Sequence, residues 1–290
     1  MNGIIIVDKP SGWTSHDVVA KLRGALKVKR IGHGGTLDPI ATGVLPVFAG
    51  RATRAVEFCE NSDKEYIAGL KLGIVTDTQD ITGNVLNSAG SAVTASELSD
   101  ILPRFLGAQK QIPPMYSAIK IDGKKLYELA RRGVDIQRPA RNIHISGIEL
   151  LESRDSEFQL KIACSKGTYI RTLCHDIGAA LGCGGIMSSL RRTRAGAFKI
   201  DAAHTLDEIL DAISSGGAGH LVLPVDSLFS AYPAITLGDE QARKCRNGAL
   251  CADSCSRDGI YRFYEPNGNF LLLGEIKNGT GRIIKSFYEV

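Results

Sequence analysis

Apolar residues along this chain switch between three spacings, and each switch marks a predicted element. "GIIIVD" (3–8) is a continuous apolar run closed by an aspartate, as in a strand buried on both faces. "TSHDVVAKLRGAL" (14–26) then sets Val18, Val19, Leu22 and Leu26 on one helical face behind a Thr/Ser cap. "RATRAVEFCENS" (51–62) predicts a second short helix. In "KEYIAGLKLGIVTDT" (64–78), Tyr66, Ala68, Leu70 and Leu72 alternate with other residues, the pattern of a half-buried strand, and "TDTQDITG" follows as an acidic turn. "TASELSDILPRFLG" (94–107) opens like a capping box and continues with a helical apolar period.

Residues 109–141, "QKQIPPMYSAIKIDGKKLYELARRGVDIQRPAR", break both periods: proline-bracketed, basic and aromatic, they hold one short helix at their centre. A long irregular stretch inside a compact domain reads as a flap or insertion. Strands resume at "RNIHISGIELLE" (141–152) and "EFQLKIACS" (157–165), and "GTYIRTLCHDIGAALG" (167–182) predicts a turn into a helix closed by Gly182. Thr205 and Glu208 give "HTLDEILDAISSGG" (204–217) a capping box. "LPVDSLFSAYP" reads as a linker, followed by a short helix, "GDEQARKCRNG", and three closely spaced strands, "GIYRFYE", "NFLLLGEIK" and "GRIIKSFYEV". The prediction is a large α/β domain over 1–230 and a small β-rich domain over 231–290.

Composition narrows the class. With 290 residues, 43% of them hydrophobic and 23% charged, the chain can bury a sizeable core and has no disordered signature. "MNGIIIVDKP" has too short an apolar run for a secretion signal, and no stretch reaches the ~18 apolar residues of a membrane span, so a soluble, cytoplasmic protein is expected. The seven cysteines contain no C-x-x-C and read as reduced thiols. Neither Cys245, Cys251 and Cys255 nor Cys174 beside His175 has the paired spacing of a zinc site, so no metal is expected.

Net charge is only +4, but its distribution is uneven. "KLRGALKVKR" (21–30) has five basic residues and no acid, "GKKLYELARRG" (123–133) four against one, and "LRRTRAGAFK" (190–199) four against none. Any one is readily a solvated face; three together point to a polyanionic partner, most simply nucleic acid.

"IGHGGTLDPIATGVLPV" (31–47) carries the sharpest chemical signal: Asp38 stands alone between Leu37 and Pro39 beyond a glycine-rich bend. A phosphate loop would end in G-K-[ST] or open a helix with G-x-G-x-x-G, and neither is present. A metal site lacks a local third ligand beside His33 and Asp38. Asp77 or Asp80 would supply the second acid of a carboxylate pair, and a plain turn cap remains open. Arg171, just inside a predicted helix start, suits bidentate pairing with a carboxylate, and Tyr66 offers a flat ring and a hydroxyl.

"DKPSGWTSHDVV", "GHGGTLDPIATGVLPV", "LGIVTDTQDITG", "IPPMYSAIKIDGKKLYELAR", "CSKGTYIRTL" and "LRRTRAG" occur in the order found in the TruB family of tRNA pseudouridine-55 synthases. The chain resembles that family over residues 3 to about 229. The resemblance implies a pseudouridine synthase fold with a mixed, largely antiparallel sheet and a C-terminal domain resembling a PUA module. It also implies a cofactor-free enzyme that isomerises a uridine in the tRNA T loop. On it, Asp38 matches the catalytic aspartate, Tyr66 the tyrosine that stacks on the target base, and Arg171 the arginine paired with the aspartate. His33 matches a residue that holds the loop while the base is everted, Leu190 and Lys9 match positions at the pocket, and Asp80 matches an acid behind the site. Tyr169 is expected to pack, and the loop glycines to let backbone pass close to the everted nucleotide. With no long basic tail after the small domain, the resemblance is to the stand-alone bacterial form: no guide RNA and a monomer are expected. An RNA-binding module without catalysis and a phosphate-binding enzyme are the competing readings.

Overall fold

The computed structural model describes residues 1–121, 123–250 and 257–288. The first apolar run forms β1 (Gly3–Lys9), and α1 (Ser15–Leu26) follows. Thr14 caps α1 in a reciprocal capping box with Asp17. Next come β2 (Ile31–His33), the loop holding Asp38, and β3 (Thr42–Ala49). A 3-10 turn leads into α2 (Val56–Glu60), then β4 (Lys64–Leu72). β5 (Ile74–Thr76) and β6 (Val85–Ser88) form a hairpin around the acidic turn. α3 (Ala95–Ile101), capped by Thr94 and Glu97, leads to β7 (Gly107–Gln111). The flap contains β8 (Lys120–Ile121), β9 (Lys124–Lys125) and α4 (Leu126–Ala130). β10 (Arg141–Arg154), β11 (Glu157–Cys164), α5 (Ile170–Ala180), β12 (Gly185–Ala195), β13 (Phe198–Lys199), β14 (His204–Thr205) and α6 (Leu206–Ser214) complete the large unit. β15 (Ala234–Thr236), α7 (Asp239–Arg246), β16 (Gly259–Tyr264), β17 (Phe270–Lys277) and β18 (Thr280–Ser286) make up the small one.

Among the described residues, ten strands join in one sheet of order β14-β1-β3-β12-β4-β11-β10-β7, with β2 on β3 and β13 on β12. Only the β1–β14 and β3–β12 pairs are parallel, so the sheet is mixed and largely antiparallel. Period-two alternation explains its two cores. Ile5 and Val7 of β1 face a layer formed by α1, α3, α5 and α6, whereas Ile4 and Ile6 face a second cluster on the other side. That second cluster also takes Leu273 and Phe287 from the small unit, whose own four strands, ordered β15-β16-β17-β18, pack on α7 around Leu237, Phe263 and Leu272.

Three sequence expectations change. The stretch 223–233 is not a solvated linker: Phe229 is 2% exposed and meets Phe58 edge-on at 5.1 Å, while also packing on Phe270 and Phe287. Phe229 and Tyr232 among serines and prolines show no periodicity, so the burial of Phe229 is invisible until its tertiary partners are known. The flap is shorter than 109–141, because residues 109–111 belong to β7; a polar edge strand lacks the apolar alternation that identifies inner strands. The basic run 190–199 is no solvated face either: Arg192 is 1% exposed and Arg191 forms a forked pair with Asp8 at 2.7 and 3.2 Å. Of the cysteine set considered for a metal, Cys251 and Cys255 lie outside the described residues; within those residues no cluster of three metal-ligating side chains occurs. No helix among them is long and apolar enough to cross a membrane.

Candidate active site

The Asp38 loop is held by its own backbone and by three buried side chains from separate elements. The Gly34 N–H donates to Pro46 O at 2.8 Å and Ala41 N–H to Asp38 O at 3.0 Å, closing the turn. Ser15, at the start of α1, accepts from Leu37 N–H at 2.9 Å. Lys9, at the end of β1, donates from Nζ to the carbonyls of Pro10, Trp13 and Pro39 at 2.8, 2.6 and 3.3 Å. Burial pulls its ammonium down to about 8, and three acceptors around one nitrogen suit the protonated form. Arg192 of β12 donates from Nε to Val44 O at 2.7 Å and from Nη2 to Gly35 O at 3.0 Å.

The loop glycines serve this protein packing. A Cβ at Gly34 would lie 2.6 Å from Cys59 Sγ, and one at Gly43, where φ is +99°, would lie 2.2 Å from Arg192 O. At these two positions the close neighbour is the protein's own chain.

Asp38 meets Arg171, the second residue of α5. Arg171 Nε lies 2.9 Å from Asp38 Oδ2, and its Nη2 donates to Oδ1 at 3.4 Å. The same guanidinium donates to Thr78 O at 3.2 Å and to Tyr116 O at 2.8 Å, and stands 3.6 Å from Asp80 Oδ2. Asp80 is in turn fixed through Oδ1 by the Thr78 hydroxyl and by the N–H and hydroxyl of Thr82. Arg171 and Asp80 have side chains 6% and 8% exposed, but the Asp38 side chain is 37% exposed, so one face of its carboxylate opens into the cleft. Desolvation pushes the Asp38 carboxyl above its ordinary value, and Arg171 and Lys9 pull against that shift. Arg171 alone would lower this pKa; burial outweighs it.

Tyr66 lies on β4, buried, with Arg192 as its cross-strand partner on β12. Leu190, 8% exposed on the same β12, packs into the core layer that contains Tyr66. His33 ends β2 and meets His16 edge-on at 5.2 Å; its Nδ1 is buried without a partner among the described residues, and desolvation with like-charge neighbours holds the ring neutral, down to about 4. Tyr169, expected to pack, is half-buried immediately before α5, and desolvation pushes its hydroxyl above the ordinary value. Asp77, weighed as a second acid, caps the hairpin through Asn84 instead, its oxygens 2.8 and 2.9 Å from the Asn84 backbone and amide nitrogens.

Three participants escaped the sequence. Arg192 was one residue of a basic run; the Tyr116 carbonyl is a backbone group with no sequence signal. Gln111 exchanges two bonds with the Tyr169 backbone at 2.8 and 3.0 Å, fixing the start of α5 to the root of the flap. Under the flap lies a cavity of about 680 Å³ bordered by Asp77, Met115, Tyr116, Arg138, Thr172 and His175.

A sheet that presents one open carboxylate on a buried arginine can now be compared with known proteins. The family model for the N-terminal domain of TruB family pseudouridylate synthases matches residues 23–170, and that for the tRNA pseudouridylate synthase B C-terminal domain matches 171–230. The class is that of the pseudouridylate synthases, which are isomerases. The chain is 40% identical to tRNA pseudouridine synthase B of Clostridium kluyveri over 99% of its own length and 100% of that protein. It is 42% identical to the Pseudomonas putida protein of the same name, covering 98% and 94% of the two chains. Among solved structures, a chain of a Cbf5-Nop10-Gar1 complex matches with TM-score 0.76 and 28% identity over 99% of this chain and 85% of that one. The chain belongs to the TruB family of pseudouridylate synthases.

Proposed function

We propose that this enzyme converts uridine 55 in the T loop of tRNA to pseudouridine, with Asp38 as the catalytic carboxylate. The target base leaves its stack and enters the cleft beside Tyr66, and stacking there offsets the few kcal/mol that eversion costs. The N1–C1′ bond breaks, the uracil turns, and a C5–C1′ bond forms as the C5 proton passes to N1 through solvent. Substrate and product are isomers, so the chemistry calls for no oxidant, reductant or cofactor. The observation that carries this reading is the Asp38–Arg171 pair, whose arginine is sealed while its carboxylate opens to the cleft.

Arg171 orients Asp38, and Asp80 steadies Arg171 from behind. Lys9 holds the Pro39 carbonyl, and hence the backbone next to Asp38. Leu190 supplies an apolar wall, and neutral His33 supports the loop while the base is out. The exposed basic residues of 21–30 and of the flap meet phosphates, and the small β unit, read as PUA-like, extends that contact. The near end-to-end match to relatives named tRNA pseudouridine synthase B supports tRNA as the substrate. The enzyme acts as a guide-free cytoplasmic monomer, so purified chain and an unmodified tRNA transcript suffice for turnover.

The test is tritium release from tRNA labelled at uridine C5. Wild type releases tritium and Asp38→Asn does not. Release by Asp38→Asn would remove Asp38 from the chemistry, and no release by wild type would sink the proposed activity.

A further inference from the structure

Helices α1, α3 and α6 each begin in a capping box made by their own residues. The helix that carries Arg171 does not: among the described residues, no side chain at the start of α5 caps it. Two glutamines from distant parts of the chain hold it instead, one on each side of Arg171. Gln111, 4% exposed at the end of β7, accepts from Tyr169 N–H at 2.8 Å and donates from Nε2 to Tyr169 O at 3.0 Å. Gln79, in the turn between β5 and β6, accepts from the Thr172 hydroxyl at 2.8 Å.

Each anchor is itself tied down. Gln111 pairs in register with Arg141, so the chain leaves the sheet for the flap and returns to it at that one rung. A carboxamide sets a donor and an acceptor side by side, and taking the N-cap N–H is the task that a capping box gives to the helix's own third residue. Gln79 has φ +63°, a left-handed backbone that residues with a Cβ seldom adopt, and Met187 N–H of β12 fixes its carbonyl at 3.1 Å. Thr172 is 4% exposed, so little water competes for its hydroxyl.

We propose that Gln111 and Gln79 are positioning residues for the reaction, bracing the first turn of α5 from the flap root and from the hairpin so that the Arg171 fork stays on Asp38. Both act through Arg171, which reaches Asp38 from the braced turn. The segments that supply the glutamines also supply the carbonyls that the same guanidinium takes, Thr78 O from the hairpin and Tyr116 O from the flap. Hairpin, flap and α5 are thereby tied around one side chain. This inference rests on the proposed function, and wild-type turnover is the control that separates the two.

The experiment compares Gln111→Met, Thr172→Val and Thr172→Ser, and Gln111→Met combined with Arg171→Lys, in single-turnover tritium release and in tRNA binding, each with a melting curve. Gln111→Met keeps the side-chain length and removes both bonds. It is expected to slow the chemical step ~10–100-fold while changing the Kd for tRNA less than about threefold. In the Arg171→Lys background it is expected to cost less than about threefold, because the fork that it aims is already gone. Thr172→Val is expected to lose at least about fivefold, and Thr172→Ser, which keeps the donor, to stay within about twofold of wild type. Desolvation and Asp80 oppose the ionised Asp38, and Arg171 and Lys9 favour it, so a misplaced fork raises the pH at which the rate falls. Gln111→Met is expected to show that upward move. A Gln111→Met rate within about twofold of wild type, an unmoved acid limb, a loss that multiplies in full with that of Arg171→Lys, or equal rates for the two Thr172 variants would each overturn the proposal. If the Gln111→Met variants do not fold, the Thr172 pair decides alone. If wild type itself forms no pseudouridine, the failure belongs to the proposed function.

Discussion

Replacing Arg171 by lysine keeps the charge and removes the fork, which isolates geometry from electrostatics. The guanidinium is 5% exposed and serves two carbonyls, Thr78 O at 3.2 Å and Tyr116 O at 2.8 Å, besides Asp38 at 2.9 Å. A single ammonium can stay with Asp38 but must release both carbonyls. A hydrogen bond to a charged group contributes about 1.5–3 kcal/mol. Water from the open side of the cleft restores part of that, so the expected loss of stability is ~2–4 kcal/mol. Asp38 also loses its second contact, from Nη2 at 3.4 Å, and can swing about its remaining partner. A displacement of about 1 Å at a reacting group costs ~10²-fold in rate. Urea unfolding followed by circular dichroism reads the first quantity, and single-turnover tritium release the second. Stability within about 1 kcal/mol of wild type together with a rate within threefold would refute the claim that the fork positions Asp38.

The pH dependence of the rate is set by Asp38: desolvation raises its pKa, so activity should fall with decreasing pH starting above the ordinary aspartate value of ~3.9, and a flat profile down to that pH would exclude Asp38 as the titrating group. His33 ties stability, rather than rate, to pH. Its folded pKa is about 4 against an ordinary 6.5, so the unfolded chain binds a proton that the folded chain refuses between those values. Stability should therefore drop as pH falls from 6.5 to 4, by on the order of 3 kcal/mol, and urea unfolding of His33→Asn should lack that slope. Finally, the exposed lysines and arginines at 21–30 predict that tRNA affinity falls at least about tenfold between 50 and 200 mM salt in filter binding; salt-independent binding would contradict phosphate contact.

Elements whose signal is local were legible. The Thr/Ser cap before α1 and the capping boxes at Thr94 and Thr205 mark helix starts through nearby residues, and the alternation of β4 predicts that Tyr66 is buried. Asp38, Tyr66 and Arg171 were nominated through ordered motifs, and the structure brings Asp38 and Arg171 together across 133 positions. What stayed hidden depends on contacts made from a distance. Arg192 reads as surface charge because nothing in "LRRTRAG" distinguishes the arginine that turns inward from the one that meets Asp8. Gln111 reads as flap because its bonds go to backbone 58 residues away. The raised Asp38 carboxyl stays hidden because a sequence displays charge partners but not desolvation.

The aromatic cluster around Phe229 ties the order of synthesis to the integrity of the site. Ile4 and Ile6 of the first strand share one core with Leu273 and Phe287 near the other end of the described chain. On the ribosome, Phe229 therefore lacks Phe270 and Phe287 until almost the whole polypeptide has emerged, and a chain cut after the large unit would leave it without either partner. The small β unit is a lid fitted last to the underside of the catalytic sheet, and an incomplete product would be marked by its own exposed apolar surface for chaperone or protease.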